Sequence, residues 1–285
     1  MRQAGAAGAL VFGAIAPHGE LAIPEACTPE TVGLAGATQR GMAELARRFE
    51  VARPDAVVVL TPHGIHVERR LAVVTSGRTA GTLEEAPHIR LDLPVDRPLA
   101  LAILASLADG GPPASGISYG GNDPAEAVMP LDWGSLIPLW YLGGRHDPPV
   151  PVVIVAPARE LSPQAHVDAG RAIACAVASS GRRVALVASA DHAHAHAATG
   201  PYGFDPAAAA YDEAVVRMLR EGRLAGLLDL SPAFIEAAKP DSWWQMLVLF
   251  GAIGESWQAT LLSYEVPTYF GMLCAAFEPP APPAG

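Results

Sequence analysis

A chain of 285 residues with 51% hydrophobic content can bury a sizeable core, either as one large domain or as two small ones. Only 17% of its residues are charged and its formal net charge is −10, which argues against a nucleic-acid partner, because phosphates need neutralising Lys and Arg. The three cysteines, Cys27, Cys175 and Cys274, lie far apart and form no CxxC pair, so neither a disulfide framework nor a thiolate zinc site is expected and a reducing cytoplasm is the default compartment.

Arg2 and the apolar stretch Ala4 to Ala16 have the outline of a short signal peptide. The positive region is a single Arg, and the apolar run leads directly into Ala16-Pro17-His18-Gly19, so Leu10 to Ala16 reads as a buried first strand. Gln39 to Glu50 places Met42, Leu45, Ala46 and Phe49 at helical spacing. Ala56 to Leu60 is a second apolar run, followed by a helical pattern over Pro98 to Ala108. Gly110 to Asp132, rich in Gly and Pro, reads as one long loop and as a wall of a substrate site. Val150 to Ala156 is a third apolar run. Ser162-Pro163 then offers a capping hydroxyl and a proline at the first helical position, predicting a helix to Ser180 that stops at Gly181. Val184 to Ala188 is the fourth run. Helices over Pro206 to Glu221, Ser231 to Ala238 and Trp243 to Gly251 follow, then a strand over Thr260 to Tyr264.

The four apolar runs are short, rich in Val and Ile, and unbroken by polar residues. That is the habit of strands buried on both faces, and it predicts an α/β fold with a twisted, largely parallel or mixed central sheet and helices on both sides. No repeat or linker divides the chain. One domain over residues 1–277 is expected, with a Pro-rich, disordered tail over 278–285. No apolar run reaches the ~20 residues of a membrane span.

Ligands in such folds gather at the carboxyl ends of the strands, and histidines stand at three of the four. His18 follows the first run, His63 and His66 the second, and His192, His194 and His196 the fourth. His88, His146 and His166 lie in polar loop or helix contexts and read as solvated. Near the C-terminus, Ser263-Tyr264-Glu265-Val266 puts a carboxylate at the end of a late strand, either edge-exposed or directed into a site. Two histidines and one carboxylate form the facial triad of non-haem iron(II) enzymes. Composition and spacing by themselves do not separate Glu265 from the other acidic residues.

The ordered motifs APHG, TPHGIH, LDWGSLIPLWYL, ASADHAHAH with GPYGFDP, and SYE run from about Gly13 to Gly271. In that order they resemble the class III extradiol ring-cleavage dioxygenases, the protocatechuate 4,5-dioxygenase β-subunit family. The resemblance implies an α/β sandwich, with His18, His63 and Glu265 as ligands of Fe(2+). It also implies cleavage of a catechol-type or aminophenol-type ring with O2. The family's spacing of Asp, two residues, then His assigns the acid/base role to His194 in Asp191-His192-Ala193-His194, leaving His192 and His196 as additional pocket groups. The family usually has a histidine at the position of Trp133, thought to handle oxygen or the substrate hydroxyl. An indole N–H donates but neither accepts nor shuttles a proton. Either His192 or His66 substitutes for it, or the substrate differs, or the activity is weak. Trp133, Tyr202 and Phe204 are either stacking surfaces for the ring or plain core packing.

Two rival readings are carried. HAHAH has the HxH spacing of metal-dependent hydrolases, although only Asp191 stands close by as a further carboxylate. A non-enzymatic, metal-binding regulatory relative of the same fold is the other. The partners expected are a small aromatic diol and O2, with no nucleic acid and no membrane. A homo-oligomer is expected, and some relatives add a small second subunit.

Overall fold

The structure, a computed structural model, describes residues 7–280. The chain runs β1 (Ala9–Ala16), α1 (Gly36–Ala52), β2 (Ala56–Leu60), β3 (Leu71–Val74), β4 (Arg78–Thr82), β5 (Arg90–Pro94), α2 (Arg97–Ala108), β6 (Ala114–Ile117), β7 (Val128–Pro130), α3 (Trp133–Tyr141), β8 (Val152–Ala156) and α4 (Pro163–Ser180). It continues through β9 (Arg183–Ser189), α5 (Ala207–Glu221), α6 (Pro232–Ala238), α7 (Trp243–Ile253), β10 (Gln258–Glu265) and β11 (Met272–Glu278). Of the tail, residues 281–285 lie outside the described residues, as do residues 1–6, which hold Arg2 and the start of the leader-like stretch.

Eight strands form the central sheet in the order β10-β11-β1-β9-β2-β8-β3-β6. β1, β9, β2 and β8 are mutually parallel, and antiparallel neighbours flank them. This is the mixed sheet expected, and its centre consists of the four apolar runs. Within them alternate residues serve opposite faces. Val58, Leu60, Leu186 and Ala188 pack with α2, α4, α5 and α7, whereas Val57, Val59, Ala185 and Val187 pack with α1, α3 and the small sheet. Because both faces are covered, no polar alternation survives in these strands. Gly110 to Asp132 departs from the single loop expected: β6 pairs with β3, and β7 joins β4 and β5 in a separate three-stranded sheet.

α4 is delimited as its sequence predicts. Ser162 Oγ accepts the Ala165 N–H at 3.2 Å, and Gly181 closes the helix at φ 69°. Its crossing with α7 is very close. A methyl group on Gly170 would sit 2.0 Å from the Val248 carbonyl oxygen, and one on Gly251 would sit 2.0 Å from that of Val167. His166, expected in solvent, is instead fully buried on this helix, its Nδ1 2.9 Å from the Ser162 carbonyl oxygen. The reason is position, since it shares the inward stripe with Val167, Gly170 and Ile173.

Gly170→Ala should destabilise the chain by about 2 kcal/mol or more through overpacking against the Val248 carbonyl, lowering the thermal midpoint. A second outcome concerns pH. Burial lowers the pKa of His192 to about 4 and lowers that of His166. Unfolded histidines titrate near ~6.5, so below that pH the unfolded chain takes up protons that these folded side chains refuse. Stability therefore falls as pH drops from about 6.5 toward 4, by roughly 3 kcal/mol for His192. Denaturant titrations across that range should show a shallower fall in His192→Gln; an unchanged slope would count against the burial argument.

Candidate metal centre

β9 lies between β1 and β2, so the loops leaving three adjacent parallel strands meet at one edge. His18 stands two residues beyond β1, and His63 three residues beyond β2. In register, Ala16 of β1 lies opposite Ser189, the last residue of β9. Ser189 Oγ donates its only proton to the Gly134 carbonyl, so it accepts from His18 Nδ1, 3.0 Å away. That fixes the tautomer: the unprotonated nitrogen of His18 is Nε2, which points at His63 Nε2 at 3.0 Å. Two bare ring nitrogens at that separation repel unless a proton or a cation is shared between them.

The third member of the cluster is Asp241, in the short connection from α6 to α7. One ligand-capable atom each from His18, His63 and Asp241 lies within 4.8 Å of the others. Asp241 Oδ2 is 3.5 Å from His63 Nε2 and 3.9 Å from His194 Nε2, and its Oδ1 accepts from Arg159. Burial holds His18 well below the usual imidazole pKa, aided by the neighbouring His63, and it lowers His63 also, with Asp241 pulling the other way. Both rings are thus neutral ligands at neutral pH. Two imidazoles and one carboxylate, with the second nitrogen of His18 tied to a hydroxyl, are a donor set that suits iron(II) or zinc. Asp191 supports the site from beneath. It accepts the His18 N–H at 3.0 Å, and burial pushes its carboxyl up to about 8. Since burial drives both groups to their neutral forms, its 3.5 Å approach to His18 Nε2 is not an ion pair.

His194 stands next to this cluster. Its Nδ1 donates to the Lys239 carbonyl at 3.0 Å, leaving Nε2 free toward Asp241. Its ring stacks on Phe270 at 5.2 Å and meets the edge of Tyr202 at 5.6 Å. Burial lowers its pKa, opposed by Asp241. A cavity of about 520 Å³ opens here, lined among others by His194, Asp241, Arg159, Tyr202, Trp243 and Trp244.

The remaining expectations divide. Glu265 is not brought to the histidines. β10 is the outermost strand, two places from β1, and Glu265 Oε1 accepts the Thr38 N–H at 2.6 Å. Ala35 supplies α1 with no side-chain cap, so Glu265 serves the start of that helix. His192 does not line the cavity. It is buried, with Nδ1 3.0 Å from Ser242 Oγ, which in turn meets the Tyr211 hydroxyl at 2.8 Å. His196 binds Asp212 at 2.9 Å, so the three histidines of HAHAH face three different partners. Trp133 opens α3 behind Asp132, whose Oδ1 accepts from Thr61 Oγ1 and the Ser135 N–H. Its indole stacks on the His63 ring at 4.3 Å, 29° from parallel, and so orients that candidate ligand. Tyr202 lines the cavity with half its surface exposed, whereas Phe204 is exposed outside it. His66 is exposed, 3.2 Å from Glu160, and does not line the cavity. Gly110 to Asp132 contributes nothing to the cavity wall.

Sequence reasoning missed Asp241 and Arg159. Arg159 had a signal, since it follows β8, the one central strand end without a histidine. Asp241 had little, because Asp-Ser before Trp243 has the look of an ordinary helix start.

Among known proteins, the chain is 22% identical over 263 residues to Protein CA_C1420 of Clostridium acetobutylicum. That match covers 87% of this chain and 53% of the relative, so the chain spans about half the length of that curated protein. An uncharacterized Escherichia coli protein, JW3007, has a similar fold, with a TM-score of 0.60 and 19% identity over 93% of this chain and 99% of the other. Residues 13–274 match the model of the catalytic LigB subunit of aromatic ring-opening dioxygenase, and with nearly the whole chain matched, the protein belongs to that family.

Proposed function

We propose that the protein is an iron(II)-dependent extradiol dioxygenase that opens a catechol-type or aminophenol-type ring with O2. The observation that carries this reading is the convergence of His18, His63 and Asp241 beside His194, with Asp241 and His194 both lining a cavity. In this reading Asp241 takes the ligand place that the family resemblance implied for Glu265. Bound there, iron would supply Lewis acidity that lowers the pKa of a diol hydroxyl, together with a redox centre for oxygen.

The chain's own groups supply the rest. His194 accepts a hydroxyl proton at Nε2 and later returns it to the product, because Nδ1 is committed to the Lys239 carbonyl. The lowered pKa keeps that nitrogen unprotonated and ready as a base at neutral pH. Ser189 holds His18 in its ligating tautomer, and Trp133 holds the plane of His63. Trp243, Trp244 and Tyr202 offer apolar surface to a ring and displace water from it.

Anaerobic titration should show one iron(II) per chain. Losing even outer partners of a ligand costs roughly 10–100-fold in metal affinity, so Asp241→Ala should weaken binding by at least about 100-fold. Glu265→Ala should leave it intact and lower only the thermal midpoint. The reverse pattern would restore Glu265 as the ligand.

With iron loaded, catechols and aminophenols should consume oxygen and give a yellow ring-opened product. His194→Ala should retain its iron and lose about 100- to 10,000-fold in turnover, the usual weight of a general acid/base. If no diol or aminophenol consumes oxygen, the dioxygenase reading fails.

A further inference from the structure

α5 buries a carboxylate on its inward stripe. Asp212 is fully enclosed there, in line with Ala208, Tyr211 and Val215. Among the described residues its one ion-pair partner is His196, and no Lys or Arg reaches it. Three donors satisfy it instead. Oδ1 accepts the Ala193 N–H at 3.0 Å, while Oδ2 accepts the Tyr264 hydroxyl at 2.8 Å and the His196 Nε2–H at 2.9 Å. A carboxylate is tolerated in an apolar interior only when its lone pairs are filled in this way. The seat is also closely shaped: a methyl group on Gly271 would come 2.2 Å from Asp212 Oδ2.

These contacts bracket His194. The chain bends at that residue, between a backbone bridge from Ala193 to Pro240 and one from His196 to Phe204. Asp212 spans the bend, with one oxygen on the residue before it and the other on the ring two residues after it. The N–H groups of His192, His194 and His196 find backbone carbonyls, whereas the buried Ala193 N–H has no backbone acceptor among the described residues. Asp212 supplies the acceptor that such a group requires. Its second oxygen engages the His196 ring, which does not line the cavity. We propose that Asp212 is the positioning residue for His194: by gripping both arms of the bend it keeps Nδ1 on the Lys239 carbonyl and Nε2 directed toward the cavity. Asp212 itself belongs to neither the metal cluster nor the cavity lining. This rests on the reading of His194 as the acid/base, and it names the group that holds that base in its working tautomer.

The test reads the ring itself. In zinc-loaded protein carrying isotopically labelled histidine, proton–nitrogen correlation spectra tell which ring nitrogen bears the proton, and His194→Gln identifies the His194 signals by their loss. The wild type should show His194 as one tautomer, with Nδ1 protonated and Nε2 bare. Asp212→Ala should mix the tautomers of His194 at unchanged zinc content. Asp212→Asn, which keeps an acceptor for Ala193, should restore the wild-type signals in part. His196→Ala removes one arm of the grip without opening the core, and it too should mix the tautomers; it decides the matter if Asp212→Ala does not fold. With iron bound and catechol as substrate, turnover per iron should fall about 100-fold in Asp212→Ala, the usual cost of a ~1 Å misplacement, with KM unchanged. A single, unchanged His194 tautomer in the folded variants overturns the inference, however far the thermal midpoint falls. A parallel loss of zinc overturns it too, by showing that Asp212 serves the cluster. If the wild type cleaves no diol or aminophenol, the ring-opening reading fails alone, and the spectra still decide what holds His194.

Discussion

β1, β9 and β2 are hydrogen-bonded side by side and covered on both faces, so the interior has no room for polar chemistry except where these strands end. The placing of the site's histidines follows from that constraint. The three loops have to leave the same edge, and their first polar residues have to meet there. The pairing of Ala16 with Ser189 sets more than register. It delivers a hydroxyl to His18 Nδ1 and so decides which ring nitrogen looks outward. A backbone ladder thereby fixes the protonation pattern of a candidate ligand.

The histidines were legible because the strands before them were legible. An unbroken Val/Ile run such as Ala56 to Leu60 announces both its burial and its end, and His63 stands just past that end. The same logic extends to Arg159 after β8. It fails for Asp241, whose position is set by the packing of α6 and α7 over the sheet rather than by any strand. It also fails for Glu265. A carboxylate after Tyr264 has two uses, at a metal or at a helix start, and which one prevails depends on α1 passing beside an edge strand. The short β3 to β7 and the proline-containing α3 were hidden for another reason. Arg78, Gly81 and Asp92 in the small sheet, and Pro138 in the helix, oppose the local signals that sequence reading depends on.

Trp133 illustrates how one position can change its kind of work. At a place where a proton-handling side chain was expected, the chain has an indole that stacks on His63. In the proposed reaction the proton chemistry falls to His194, because His192 is engaged with Ser242 inside the core and His66 is exposed away from the cavity lining. Only one of the three extra histidines is positioned to exchange protons with a molecule in the cavity.

The origins of the three cluster members also differ. Two come from the sheet, while the third comes from a connection held down by the glycine-mediated crossing of α4 and α7. An ion shared among them would act as a further rivet between layers joined by apolar contact and by a few hydrogen bonds, such as that from Gln245 of α7 to the Ser189 carbonyl. Its binding energy would add to the cohesion of the helical layer as well as to the site. Conversely, any change that loosened the α4–α7 crossing would be felt as metal leakage before it was felt as unfolding, making retention of the ion a gauge of how tightly the two layers are seated.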